Sequence, residues 1–286
     1  MNKGYCHLTQ EIRHCRLLIF VFALLGANFG LSSFAKGAQN SIVPHSAAYE
    51  LKLVHAVSGS NIIGVEGFMS YDWSRRCDGW TNDQRLFLAL NYGQNQMVRF
   101  KAVSITWESS DGTRFRFKIN RNGMGQDDER IEGEAILEER GGAGEVLFEK
   151  PKAKKIRLPK GTLFPTQHTF QTLAKAISGA KFDRQLVFDG DELEGAAPIT
   201  TVFLPKQAEA VLKKPVKGFS PKPVYPMFQA FFPPTSRGRD QDTMPEFEMK
   251  IFYQANGVAP RIFLNYGDFK LRGDLIGFKE SPKPAC

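Results

Sequence analysis

Within residues 45–54 the chain alternates, with Tyr49, Leu51 and Leu53 on one side and Glu50 and Lys52 on the other. A period of two belongs to a strand with one face in a core and one in water. The same parity runs through Ile63, Val65, Gly67, Met69, Tyr71 and Trp73. It is cleanest at residues 113–120, where Phe115, Phe117 and Ile119 alternate with Arg114, Arg116 and Lys118. It returns late, with Phe247, Met249, Ile251 and Tyr253 facing away from Glu246, Glu248 and Lys250. Polar turn clusters separate the runs: Ser109-Ser110-Asp111-Gly112, Asn122-Gly123-Met124-Gly125, Gly141-Gly142-Ala143-Gly144 and Asp189-Gly190-Asp191. Short alternating strands joined this tightly predict a mainly β fold, an antiparallel sheet that closes or nearly closes because unpaired edges are a liability.

One helix interrupts the pattern. Pro165 suits a first helical position, Phe170, Leu173, Ala174 and Ile177 follow helical spacing, and Gly179 can end the turn. Gln167, Gln171 and Lys175 fall elsewhere on its surface, so the helix is expected to lie across the sheet or plug an opening. A second, shorter helix is expected over residues 206–213. Between residues 215 and 234 lie six prolines with Phe219, Tyr225, Phe228, Phe231 and Phe232. Proline has no N–H for a ladder, so this stretch is expected to cover an edge or form a flap rather than a central strand. No repeat of fixed 20–50-residue period is present, and residues 36–286 are expected to form one continuous domain.

Composition narrows the class. With 286 residues, 42% apolar, the chain can bury a large core and is neither disordered nor collagen-like. Lys and Arg exceed Asp and Glu by 38 to 30, spread over most of the length, which argues against a nucleic-acid binder. Lys3, Arg13 and Arg16 precede an uncharged apolar stretch from Leu17 to Leu25 that runs on to Ser33-Phe34-Ala35. That is the pattern of a secretory signal peptide over residues 1–35, cut after Ala35, with an uncleaved anchor as the other reading. Cleavage would leave no segment for stable membrane insertion. It would also remove Cys6 and Cys15, leaving Cys77 and Cys286, either one disulfide or two free thiols.

The chain carries no reactive motif. There is no GxSxG nucleophile elbow, no HExxH or CxxC, and no glycine fingerprint for a dinucleotide. No catalytic residue, metal ligand or cofactor is therefore expected. His45, His55 and His168 follow the signal; His55 shares the parity of Leu51 and Leu53, and His168 sits near the helix start. A solitary histidine is more often a hydrogen-bonding core residue than a general base. Asp189-Gly190-Asp191-Glu192 and Asp127-Asp128-Glu129 lack the spacing of a calcium loop and read as solvated turns. Six cations lie within residues 150–160: Lys150, Lys152, Lys154, Lys155, Arg157 and Lys160. They suit an edge strand protected from pairing, or a surface that meets phosphate-rich lipid or acidic polysaccharide. The phenylalanines either fill a core or wall an apolar cavity.

His45-Ser46-Ala47-Ala48-Tyr49-Glu50-Leu51, Gly64-Val65-Glu66-Gly67 with Cys77 beyond it, Thr106-Trp107-Glu108, Phe164-Pro165-Thr166-Gln167-His168 and Val187-Phe188-Asp189-Gly190 together resemble the EipB family of periplasmic cell-envelope integrity proteins. Ser46 departs from it, since members tend to carry Arg after the first His. The resemblance implies a periplasmic protein of a Gram-negative envelope, folded as a β-spiral, a half-open barrel-like sheet with one principal helix. It implies Cys77 and Cys286 as disulfide partners and no assigned reaction. The expected role is non-enzymatic support of envelope integrity by binding another envelope protein, lipid or polysaccharide; the alternative is a carrier of lipid or another apolar ligand in a barrel-like cavity.

Overall fold

Alternation along the chain becomes alternation across one sheet. The computed structural model describes residues 42–93, 96–123, 126–191, 193–208, 212, 214–234, 244–282 and 284–286. Its strands are β1 (His45–Ala56), β2 (Ile62–Arg75), β3 (Gly79–Tyr92), β4 (Gln96–Ser109), β5 (Arg114–Gly123), β6 (Gln126–Leu137), β7 (Gly144–Lys150), β8 (Lys154–Leu158) and β9 (Thr162–Leu163). After helix α1 (Pro165–Ile177) come β10 (Phe182–Val187), β11 (Ala197–Phe203), β12 (Val224–Phe231), β13 (Phe247–Gln254), β14 (Arg261–Asn265) and β15 (Phe269–Glu280). All fifteen lie in one sheet, ordered β8-β7-β6-β5-β4-β3-β2-β1-β15-β14-β13-β12-β11-β10-β9. Only β9 and β10 run parallel.

The chain thus meanders from β1 to one edge at β8, passes to the other edge at β9, and meanders back to β15, which pairs with β1. Residues 159–161 are all that separate the two edge strands, so the sheet curls until its ends approach. The β10–β11 loop spans the remaining gap. There Lys154 Nζ donates to the Leu193 carbonyl at 2.8 Å, and Arg121 pairs with Asp191. Gly190, at φ +84°, lies so close to the Phe117 ring that a Cβ would meet it at 2.5 Å. The result is a nearly closed, barrel-like sheet.

Inward-facing side chains from across the sheet meet in packed clusters. The largest joins Tyr49, Leu51, Leu88, Leu90, Met227, Ile262, Leu271 and Leu275; a second gathers Phe115, Phe117, Phe148, Phe164 and Phe188. A third sets Trp73 and Trp80 against Phe170 and Leu173 of α1. Burying each such side chain contributes about 1.5–3 kcal/mol. On β5 the outward Arg114, Arg116 and Lys118 pair with Glu134 and Glu132 of β6, so both faces of that strand match its alternation. The helix lies against the inner face, as its apolar residues predict.

Four local expectations are corrected. Ile63 is 68% exposed, because a bulge between Ile62 and Gly64 reverses the parity that holds from Val65 onward. The Pro-rich stretch contributes a central strand, β12, hydrogen-bonded between β11 and β13. Pro226 lies just past the last β11 pair, Phe203 opposite Met227, and its missing N–H removes one bond while its neighbours stay paired to β13. Past that point only its carbonyl is used, accepting the Leu204 N–H at 2.9 Å. In the span 206–213, Gln207 forms an antiparallel bridge with Val224 in place of a helical turn; residues 209–211 and 213 lie outside the described residues. On α1, Ile177 is exposed while Gln167 and His168 are buried, so the inner stripe is more polar than periodicity implies.

Candidate functional site

Helix α1 has Pro165 at its start, Phe164 at the N-cap and no side-chain cap of its own. Its first amides still need acceptors once buried. Glu108, the inward-facing penultimate residue of β4, supplies them: its carboxylate accepts the Thr166 N–H at 2.7 Å and the Gln167 N–H at 3.0 Å. Burial pushes the Glu108 carboxyl up to about 7, against the pull of those two amides, the Thr166 hydroxyl and Arg140. A carboxyl that holds its proton more tightly folded than unfolded, where its value is near 4.5, costs stability as pH rises through 4.5–7. Glu108→Gln should therefore gain stability relative to the parent between pH ~5 and pH ~8. Urea unfolding at the two pH values checks it, and a difference independent of pH contradicts it.

Beside this cap the inner face is polar. Lys175 Nζ meets Asp183 Oδ1 at 2.6 Å, and Gln185 Nε2 donates to Gln171 Oε1 at 3.3 Å. His168 Nε2, Thr172 Oγ1, Asp183 Oδ2, Gln185 Oε1 and Asn82 Oδ1 are buried with no protein partner. Burial brings the His168 imidazole down to about 4, opposed by the Asp183 carboxylate and aided by Lys175, so the ring is neutral at pH 7. Among the described residues, no nucleophilic side chain is hydrogen-bonded to His168. Nor does any group of three or more His, Cys, Asp or Glu side chains converge there as a metal site would require.

The other histidines have separate environments. His45 is buried among Tyr71, Trp73 and Phe278, with Nδ1 2.7 Å from the Val43 carbonyl, and burial holds its ring below the ordinary value. His55 is exposed rather than inward-facing, because a bulge between Leu53 and His55 in the pairing with β15 breaks the parity. The acidic segments stay in turns or at strand ends: the Asp189 carboxylate accepts the Asp191 N–H at 3.0 Å, while Glu192 and the Asp127 side chain lie outside the described residues.

Cys77 lies in the β2–β3 turn and Cys286 at the chain end. They are bonded, with Cα atoms 5.7 Å apart and a sequence separation of 209. The tail reaches that turn past β1, where Ser281 N–H donates to the Pro44 carbonyl at 2.8 Å. The bridge thus spans the β1–β15 junction, where the two meanders of the chain meet. Residues 1–35, over which a signal peptide is expected, with Cys6 and Cys15, lie outside the described residues.

Among the described residues, troughs open on the outer face. One, of about 370 Å³, has a floor of small residues, Ala48, Ser70 and Gly277, with Asp72, Arg85 and Lys279 around it. Another, of about 450 Å³, exposes Val54, Val202, Phe228 and Phe263 beside Lys250 and Lys270. Lys250 Nζ sits 4.9 Å from the centre of the Phe228 ring. The six cations of residues 150–160 lie on or beside β8, one edge of the sheet. Sequence reasoning missed Glu108 and Asp183. Each occupies an inward position of its strand, but the adjacent inward positions, Thr106 and Gln185, are polar as well, so local alternation does not mark either carboxylate.

The EipB-like family matches residues 36–282. The chain is 32% identical over 240 residues to the cell envelope integrity protein EipB of Brucella abortus (strain 2308), covering 82% of this chain and 83% of that protein. Its fold is similar to the crystal structure of a beta-barrel-like protein of domain of unknown function DUF1849 from Brucella abortus. The TM-score is 0.75 at 30% identity, over 84% of this chain and 99% of that one. A nearly closed sheet whose first and last described strands pair at its centre, with one inner helix among the described residues, thus coincides with a family match over residues 36–282: the chain belongs to the EipB-like family.

Proposed function

We propose that this chain is an exported, non-enzymatic protein of the periplasm that supports cell-envelope integrity by holding another envelope component at its outer surface. The observation that carries this reading is the packed interior. Inward side chains from β1, β3, β12, β14 and β15 meet in one cluster, α1 lies inside, and the troughs open outward. The name of the 32% identical relative supports the envelope role. A strain lacking the chain should become sensitive to detergents and cell-wall antibiotics, and re-expression should restore resistance. Unchanged tolerance would remove the envelope role, and peptidoglycan hydrolysis by the purified protein would remove its non-enzymatic character.

A second reading, a carrier of an apolar ligand, draws on the outer trough at Val202, Phe228 and Phe263 rather than on a lumen. Native mass spectrometry of the protein taken from envelopes separates the two. Co-purifying lipid supports the carrier, and persistent absence of lipid discards it.

A further inference from the structure

The β7–β8 hairpin holds charge that the fold leaves unmatched. Over residues 144–160, Lys150, Lys152, Lys154, Lys155, Arg157 and Lys160 stand against only Glu145 and Glu149. Lys155 meets Glu145 at 2.5 Å, and Lys154 is occupied by the Leu193 carbonyl. Lys150, Lys152, Arg157 and Lys160 are exposed, with no carboxylate at ion-pair distance among the described residues. The contrast with β5 is internal to the sheet: Arg114, Arg116, Lys118 and Arg121 each face a carboxylate of β6.

Protection of an edge strand does not account for the surplus. A charge guards an edge by sitting on the strand that would otherwise pair. Lys152 and Lys160 lie in the turns at the two ends of β8, and Lys150 ends β7, whose other side is already paired to β6. Exposed Leu147 stands beside Lys155 in the register, so the cationic edge also presents an apolar side chain. Five of the six cations are lysines, point charges on flexible stems, which suit a diffuse array of phosphates better than the fork-shaped match that a defined carboxylate favours.

We infer that this edge docks on the phosphate headgroups of an acidic phospholipid bilayer, an inference that rests on the envelope role and names the component held. The test is co-sedimentation of the purified protein with vesicles of phosphatidylglycerol and phosphatidylethanolamine, against vesicles of phosphatidylcholine alone. Binding is expected only to the acidic vesicles and should disappear in about 0.5 M salt. The triple variant Lys152→Glu/Arg157→Glu/Lys160→Glu should bind at least about tenfold more weakly, since it replaces three cations at such a surface by three anions. Lys152→Arg/Lys160→Arg should bind as the parent does, and so should Lys222→Glu, an exposed reversal outside the hairpin.

Equal binding to both vesicles, no binding at low salt, or a well-folded triple variant within twofold of the parent would each overturn the inference. Displacement by millimolar inorganic phosphate would do the same, assigning the site to free anion. Rescue of a deletion strain by the triple variant removes the docking surface while leaving the envelope role intact. A deletion strain without a defect removes that role but not the vesicle binding.

Discussion

Cys77→Ser should lower the melting temperature by about 10 °C. A bridge across 209 residues removes, in the chain-entropy account, roughly 5 kcal/mol of freedom from the unfolded chain. For a chain of this size each kcal/mol moves the midpoint by roughly 2–4 °C, and residual unfolded structure trims the gain. Position adds to length. The bond joins the β2–β3 turn to the tail beyond β15, across the pairing of β1 with β15. Cys286→Ser and the double variant should melt with Cys77→Ser, since all three lose the same bond, and a reductant should bring the parent down to them. Melting equal to the parent, with no thiol gained in either single variant, would sink the prediction.

Trp80→Ala should cost about 3–5 kcal/mol, the range for removing a large aromatic from a core. The Trp80 ring lies 5.0 Å from Trp73 and 5.5 Å from Phe170, centre to centre, and it holds the inner face of β3 against α1. Its loss should loosen the helix before the sheet, read as faster amide exchange over residues 165–177 than in β1 or β15. Trp80→Phe should cost much less. Phenylalanine keeps most of the contact and removes an indole N–H that is buried without an acceptor. If the two variants are equally destabilised, ring contact is not what anchors the helix. Uniform exchange across the chain would mean that α1 and the sheet unfold as one unit.

Strand identity was legible wherever alternation ran unbroken. At residues 113–120 every apolar position is buried and every cation faces out, because a two-residue period leaves no other solution once one face meets a core. Alternation failed at Ile63 and His55, where bulges insert a residue and reverse the faces beyond it. Nothing in the local residues marks those bulges, since they arise from matching neighbouring strands. Proline misled in β12 for a related reason. A missing N–H removes one ladder bond rather than the pairing: at Pro226 the carbonyl still accepts the Leu204 N–H, and Gln207 pairs with Val224 beyond it.

The candidate site was legible in part. Lys150 to Lys160 stood out as a charge run, but its meaning depends on which cations acquire carboxylates. That is settled by strands β5 to β8 lying side by side rather than by spacing in the chain. Glu108 and the amides of α1 lie 58 and 59 residues apart in sequence, and Lys175 reaches Asp183 only after the chain reverses.

Residue order alone determined the two-residue rhythm, the helix between Pro165 and Gly179 and the turns, because each follows from steric and solvation preferences over a few neighbours. Three features required the folded chain: the return of β15 to β1, the carboxylate of β4 beneath the helix, and the cations left unmatched on and around β8. These are contacts between segments far apart in sequence. Their energies depend on what each group finds opposite it after burial, and no local preference encodes that.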